Sequence, residues 1–182
     1  MYFHKVHDLT VVATQGCPLF SNHTMADPLF DISPHDLSVH CLPEGQLDAL
    51  LPQVGDMRQI ARVPWINEAR TEAIGVKDVG HDEFWVPGHI PGRPLLPGVI
   101  MIEAAAQISS VLYQLKMKDG DGGFLGFTRV NNCVFRGSVV PGQQLVLLAV
   151  ENKFQRRRFS CWAQGLVDGN VVFEVECTGM RI

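Results

Sequence analysis

The residues best suited to chemistry lie close together in one short segment. His89 stands between Gly88 and a run of prolines, and Glu103 follows fourteen residues later in an apolar stretch. A histidine side chain titrates at about pH 6.5 and can accept a proton at neutral pH. A carboxyl group among apolar residues favours its neutral form and can donate one. Because prolines restrict the loop that carries the histidine, the pair predicts a general acid/base site.

A candidate oxyanion hole lies between these two residues. Pro97 and Gly98 come directly before the apolar stretch. Where a helix begins there, the Gly98 N–H is one of the donors without an acceptor inside the helix. A thioester or ester carbonyl placed against it would be polarised, and an enolate oxygen would be stabilised. The alternative is that the two residues only begin the helix.

Both candidate catalytic residues also have a purely structural interpretation. A single loop histidine such as His89 is often a surface or packing residue. Glu103 shares one helical face with Gln107, Ser110 and Gln114, and this polar stripe could simply face water. If the stripe instead faces a cleft or a subunit boundary, Gln107 is one turn away and can orient the Glu103 carboxyl through a hydrogen bond.

Other kinds of site are not indicated. The seven histidines have no metal-ligand spacing, so no metal is expected. No phosphate-binding glycine loop, nucleophile elbow or Ser-His-Asp arrangement is present. The basic run Arg156-Arg157-Arg158, with Lys153, is either a docking patch for an acidic carrier or, as we expect, a solvated turn. A net charge of −4 argues against nucleic-acid binding.

Length and composition predict one domain. The chain has 182 residues, of which 46% are hydrophobic. We expect a single domain over residues 46–182, after an extension over residues 1–45 in which Met25 is an alternative start. Five scattered cysteines without a CxxC pair, and no visible secretion signal, indicate reduced thiols in the cytoplasm.

The elements that must position the site are one helix and several strands. The sequence predicts a long helix from Gly98 to about Lys116, after an ordered loop at 87–97. Polar residues interrupt this apolar segment, so we expect a buried helix and no membrane span. A short helix is predicted at 44–51. Asp168-Gly169 predicts a hairpin turn. Strands are predicted at Arg58–Val63, Thr71–Val79, Phe124–Phe135, Leu145–Gln155, Phe159–Val167 and Asn170–Arg181. One helix followed by an antiparallel meander gives an α+β fold.

The segment 88–107, GHIPGRPLLPGVIMIEAAAQ, resembles the GHFPGxPxxPGVxxxEAxAQ pattern of the FabZ-type β-hydroxyacyl-[acyl carrier protein] dehydratases. The resemblance extends more loosely over residues 51–182. It implies a hot-dog fold, in which an antiparallel sheet wraps one long helix. It also implies a homodimer, or a higher oligomer built from dimers, in which His89 of one subunit meets Glu103 of the other.

The resemblance implies a hydro-lyase of fatty acid or related acyl biosynthesis, acting without a cofactor. The enzyme would convert a 3-hydroxyacyl thioester into the trans-2-enoyl thioester. His89 would take the C2 proton, Glu103 would protonate the departing 3-hydroxyl, and the Gly98 N–H would hold the thioester oxygen. Gly88, Pro97 and Gln107 would support them.

The chain departs from the family pattern before the motif. Where the family has LPHRxPFLLVDRV, residues 51–63 read LPQVGDMRQIARV. The acid/base pair is unaffected, but the acyl chain length and the carrier, acyl carrier protein or coenzyme A, stay open. Two other functions also stay open: an acyl thioesterase on the same fold, with Glu103 activating water, and a non-catalytic module that binds acyl thioesters.

Overall fold

The computed structural model describes residues 27–117 and 125–182. Met25 and the first part of the extension lie outside the described residues. In chain order the elements are α1 (Gln46–Leu50), a 3₁₀ turn (Gly55–Met57), β1 (Arg62–Ile66), β2 (Glu72–Asp78), α2 (Gly98–Lys116), β3 (Leu125–Phe135), β4 (Gln144–Gln155), β5 (Arg158–Val167) and β6 (Asn170–Arg181).

The long helix α2 has the bounds that the sequence predicts. It begins directly after Pro97, whose carbonyl accepts the N–H of Ile100 at 2.9 Å and that of Met101 at 3.3 Å. The helix is apolar and long enough to cross a membrane by composition. Most of its residues, including Ala104, Ala105 and Ile108, are instead buried in the hydrophobic core that it shares with the sheet. It is therefore the core helix of the domain.

The six strands form one antiparallel sheet in the order β1-β2-β4-β5-β6-β3. This confirms the α+β fold class. The expected meander is correct only for β4, β5 and β6, because β3 pairs with β6 at the edge. After β3, the N–H groups of Arg136 and Gly137 both donate to the Val172 carbonyl at the start of β6. The chain then crosses to β4, which pairs with β2.

Three local predictions had different outcomes. The hairpin turn between β5 and β6 is confirmed, since Asp168 and Gly169 have φ values of 50° and 78°. The first strand was placed too early, because Gln59 and Ile60 donate their N–H groups to the Gln107 side chain instead of to a neighbouring strand. The helix α1 is shorter at both ends than predicted.

The described part of the extension lies on the other face of the sheet. Leu29, Phe30, Ile32 and Leu37 pack against a cluster formed by Ile74, Val146, Leu148 and Leu166. These strand residues alternate with those that face α2, so the cluster is on the opposite side. The buried Gln164 side chain fixes the segment, accepting from Leu29 N at 2.8 Å and donating to Asp27 O at 3.1 Å. The described part of the extension thus covers apolar sheet surface.

Candidate active site

His89 lies in a loop whose backbone selects its tautomer. The N–H groups of Gly88 and His89 donate to the Trp85 carbonyl at 3.1 and 2.7 Å. The ring Nδ1 of His89 lies 2.7 Å from the Leu95 carbonyl oxygen. Because a carbonyl oxygen only accepts, Nδ1 carries the hydrogen, and Nε2 of the neutral ring keeps a lone pair. This half-buried imidazole is therefore arranged to act as a base through Nε2.

A buried ion pair anchors the start of this loop. The Glu83 carboxylate accepts from Lys77 Nζ at 2.9 Å, from Trp85 Nε1 at 2.7 Å and from Gly80 N at 3.0 Å. The Lys77 and Glu83 side chains are only 7% and 17% exposed. Trp85, whose carbonyl receives the His89 N–H, is thus fixed from both its side chain and its backbone. Sequence reasoning missed Glu83, since no local pattern marks it.

Glu103 is held through one of its two carboxylate oxygens. Its Oε1 accepts from Gln107 Nε2 at 2.8 Å and from Gln53 Nε2 at 3.2 Å. The contact with Gln107 is the one expected from their four-residue spacing. The contact with Gln53 crosses fifty residues of sequence and was not foreseen. The only available signal was that glutamine stands there in place of the family's histidine.

The orientation of the Gln107 amide is fixed by the backbone around it. Its Oε1 accepts the N–H groups of Gln59 at 2.8 Å and Ile60 at 3.3 Å. Its Nε2 donates to the Met57 carbonyl at 2.7 Å as well as to Glu103. Since its oxygen is already occupied by two donors, Gln107 presents an N–H to the carboxylate.

The polar stripe on α2 does not face open water. Gln107 is buried, and Ser110 and Gln114 are half-buried. These last two line a groove of about 400 Å³ together with Leu50, Pro52 and Gln53. The stripe thus faces the segment that precedes β1 and a groove beside it.

The start of α2 presents a free N–H next to an aromatic ring. Among the described residues, no acceptor is found for the Gly98 N–H. A Cβ at Gly98 would lie 2.7 Å from Cζ of Phe135, which is too close for any other residue to fit without movement. Pro97 is buried beside it. Unless this ring moves, it leaves room only for glycine at the position whose N–H the sequence assigns to the oxyanion hole.

The structure brings the predicted residues together only in part. Glu103 and Gln107 are in contact, and Gly98 lies on the same helix. His89 and Glu103, however, form no hydrogen bond or ion pair with each other within the described part of one chain. The shared site of a dimer therefore stays a prediction.

Among the described residues, the buried thiols and the basic turn take no part in the hydrogen bonds that hold His89 and Glu103. Cys161 and Cys177 face each other across β5 and β6, and burial raises the pKa of both thiols, that of Cys177 to about 12. They are neutral thiols at physiological pH and do not act as nucleophiles. The basic turn lies near the C-terminal end of α2, where Tyr113 Oη donates to the Arg156 carbonyl at 2.7 Å. That end is opposite to Gly98.

Comparison with known proteins identifies sequence relatives over most of the chain. The model of the FabA-like domain matches residues 51–176. The chain is 34% identical over 126 residues to the 3-hydroxyacyl-[acyl-carrier-protein] dehydratase FabZ of Herpetosiphon aurantiacus, which covers 69% of this chain and 88% of the relative. It is 32% identical over 161 residues to the protein of the same name from Xanthomonas campestris pv. campestris, covering 86% and 99%.

Solved structures share the fold at much lower identity. The dehydratase heterocomplex ApeI:P from Xenorhabdus doucetiae has a TM-score of 0.64 at 16% identity, covering 75% of this chain and 90% of the other. A thioesterase from Haemophilus influenzae has a TM-score of 0.52 at 15% identity, covering 66% and 77%. These similarities support the hot-dog arrangement of one helix against an antiparallel sheet, and they concern the fold alone.

Proposed function

The chain belongs to the FabA-like domain family, and from this membership we propose that it is a hydro-lyase that dehydrates 3-hydroxyacyl thioesters in fatty acid or related acyl biosynthesis. The observation that carries the assignment is that the hydrogen bonds of each candidate catalytic residue leave one of its polar atoms available for the reaction. His89 has Nδ1 bonded and Nε2 left as a base, and Glu103 is held through Oε1.

The mechanism follows from these two side chains. His89 Nε2 takes the proton from C2, and the electron pair of that bond forms the double bond to C3. The C3–O bond breaks as Glu103 gives its proton to the hydroxyl oxygen, and water leaves. The Gly98 N–H, at the positive end of α2, stabilises the charge that develops on the thioester oxygen. Solvent exchange then restores the two protonation states, and no cofactor takes part.

The enzyme works as a homodimer, or as a higher oligomer built from dimers. Support comes from β3, an edge strand whose Phe127, Val130, Val134 and Phe135 are 40–49% exposed. An apolar edge strand is a surface that a second chain typically covers. Phe135 contacts Gly98, so this edge adjoins the start of α2. A partner bound there would lie beside this helix start, and we propose that its His89 then reaches Glu103 of this chain.

The compartment is the cytoplasm, as the scattered cysteines without a CxxC pair indicate, and the carrier is acyl carrier protein. Support comes from the FabZ relatives, whose names specify a substrate linked to acyl carrier protein. Assaying matched substrates linked to acyl carrier protein or coenzyme A tests this assignment. A higher kcat/KM for the coenzyme A substrate would contradict it.

One assay tests the reaction itself. The purified protein is given a 3-hydroxybutyryl thioester, and enoyl thioester formation and free thiol release are followed in parallel. We expect enoyl product without thiol release. Thiol release without enoyl product would instead identify a thioesterase, and binding without either product would identify a non-catalytic module.

A further inference from the structure

One polar side chain beside Glu103 has no role in the mechanism above. Gln53 Nε2 donates to Glu103 Oε1 at 3.2 Å, while Gln53 Oε1 is buried without a hydrogen-bond partner among the described residues. A buried amide oxygen without a partner is unfavourable for folding. Stability alone therefore does not explain a glutamine at this position, and its contact with the carboxylate is the feature that needs a function.

The backbone around Gln53 is fixed independently of Glu103. Arg58 Nε donates to the Gln53 carbonyl at 2.9 Å, and Arg58 Nη2 donates to the Leu51 carbonyl at 2.8 Å. The planar guanidinium thus binds one backbone carbonyl on each side of Pro52. The Arg58 side chain is itself only 17% exposed. The Gln53 amide is therefore held against Glu103 by a segment whose backbone is fixed, and not by a freely moving loop.

The two carboxylate oxygens of Glu103 differ in the hydrogen bonds that they accept. Gln107 and Gln53 both donate to Oε1 of Glu103, whereas Oε2 accepts no hydrogen bond from the described residues. An oxygen that already accepts two N–H groups is a poor position for a proton, because the proton would face two donors. The proton of the neutral acid therefore belongs on Oε2.

We infer that Gln53 is a positioning residue for Glu103, which together with Gln107 keeps Oε1 as an acceptor so that Oε2 carries the transferable proton. This inference rests on the proposed function, because it concerns Glu103 as the acid. As the proton passes from Oε2 to the 3-hydroxyl oxygen, the C3–O bond breaks and water leaves. The negative charge that remains is shared with Oε1, where the two N–H groups stabilise it.

The test replaces Gln53 by methionine, which has similar length and lacks the amide. We expect Gln53→Met to lower kcat about 10-fold and to change KM by less than about 2-fold, since the lost bond is to the acid and not to substrate. Tm should not fall by more than about 2 °C, because the unpartnered buried oxygen is removed as well. Gln53→His keeps an N–H donor and should retain kcat within about 3-fold of the unmodified enzyme.

A matched control removes an amide elsewhere. Gln144→Met, on β4, deletes a side chain that donates to Asp78 at 3.0 Å and should leave kcat unchanged. A Gln53→Met enzyme with unchanged kcat would overturn the inference while leaving the dehydratase assignment intact. A fall in Tm without a fall in kcat would overturn it too, since that is the result of a merely structural role.

A spectroscopic readout keeps the inference testable without turnover. The ¹³C carboxyl resonance of Glu103, assigned by its loss in Glu103→Gln, should move in Gln53→Met and stay in place in Gln144→Met. An unmoved resonance in Gln53→Met would overturn the inference whether or not the enzyme turns over. Absence of dehydration by the unmodified enzyme would contradict the proposed function instead.

Discussion

At the scale of single residues, the proposed acid and the proposed base are held by different kinds of hydrogen bond. His89 is fixed by one bond to a backbone carbonyl, and Glu103 by two side-chain amides. His89 Nδ1 and Glu103 Oε1 make these hydrogen bonds, so His89 Nε2 and Glu103 Oε2 are left for the reaction. A general acid or base fixed in this way contributes because its geometry is set before substrate arrives.

Replacing either group should therefore remove catalysis and leave the fold intact. We expect His89→Ala and Glu103→Gln each to lower kcat by about 10²-fold or more, the range for loss of a general acid or base. Both side chains are half-buried and outside the core, so Tm should change little. Enoyl thioester formation and thermal unfolding measure the two effects. Near-full dehydration by either variant would show that its assigned role is wrong.

Gly98 combines a close packing contact with the proposed oxyanion-binding role. A methyl group there would lie 2.7 Å from Cζ and 2.8 Å from Cε1 of Phe135, so the ring or the helix start must shift. We expect Gly98→Ala to cost about 1–3 kcal/mol of unfolding free energy. It should also lower kcat, because the oxyanion donor moves. Denaturant unfolding and steady-state kinetics check both effects.

A second substitution tests whether the contact with the Phe135 ring causes the loss of stability. Gly98→Ala combined with Phe135→Leu, a smaller side chain, should recover most of the lost stability. If Gly98→Ala alone unfolds like the unmodified protein, then the ring accommodates the methyl group and the argument from close packing is incorrect.

At the scale of elements, the loop that carries His89 depends on the ion pair between Lys77 and Glu83. Removing one partner of a buried pair leaves an unpaired charge, which typically costs about 3 kcal/mol or more. We expect Glu83→Gln to destabilise the protein by this amount and to lower kcat, because Trp85 and the loop after it lose their anchor. Urea unfolding with parallel kinetics provides the measurement.

The matching control neutralises both partners. Glu83→Gln with Lys77→Met leaves no buried unpaired ammonium, so it should be more stable than Glu83→Gln alone. Equal stability of the two variants would show that the ion pair does not hold this loop.

The same scale shows which elements the sequence could predict. The start of helix α2 was predicted at Gly98 because Pro97 and Gly98 mark it and an apolar run follows, and its end was predicted only as about Lys116. The turn at Asp168-Gly169 was predicted because its backbone needs positive φ. The edge position of β3 was not, since strand order depends on pairing between distant segments.

The site shows the same division between local and distant signals. His89, Glu103 and Gln107 lie within one continuous motif, so their spacing exposes them. The contact of Gln53 with Glu103 joins two segments that only the folded chain brings together. Hydrogen bonds between the Gln107 side chain and the backbone of residues 57–60 likewise make β1 begin later than predicted. These bonds leave no periodic pattern in the sequence.

At the scale of the whole molecule, one chain contains both halves of the predicted site without joining them. His89 and Glu103 are not bonded to each other in the described chain, and the strand beside the helix start exposes an apolar edge. Pairing two copies through β3 would cover that edge and would create two equivalent sites at once. If each site is shared between the two chains, twofold symmetry requires that each chain gives its base to one site and its acid to the other.

This arrangement makes mixing of two inactive variants decisive. In a heterodimer of His89→Ala and Glu103→Gln, one site contains both substitutions and the other contains neither. Random exchange puts half of the chains into heterodimers, so recovery should reach about one quarter of the unmodified activity. Differently tagged variants, with exchange verified by mass spectrometry, allow the recovered rate to be compared with the heterodimer fraction. Verified heterodimers without activity would show that His89 and Glu103 act in the same chain's site. The exposed β3 edge would then be the one remaining argument for a homodimer.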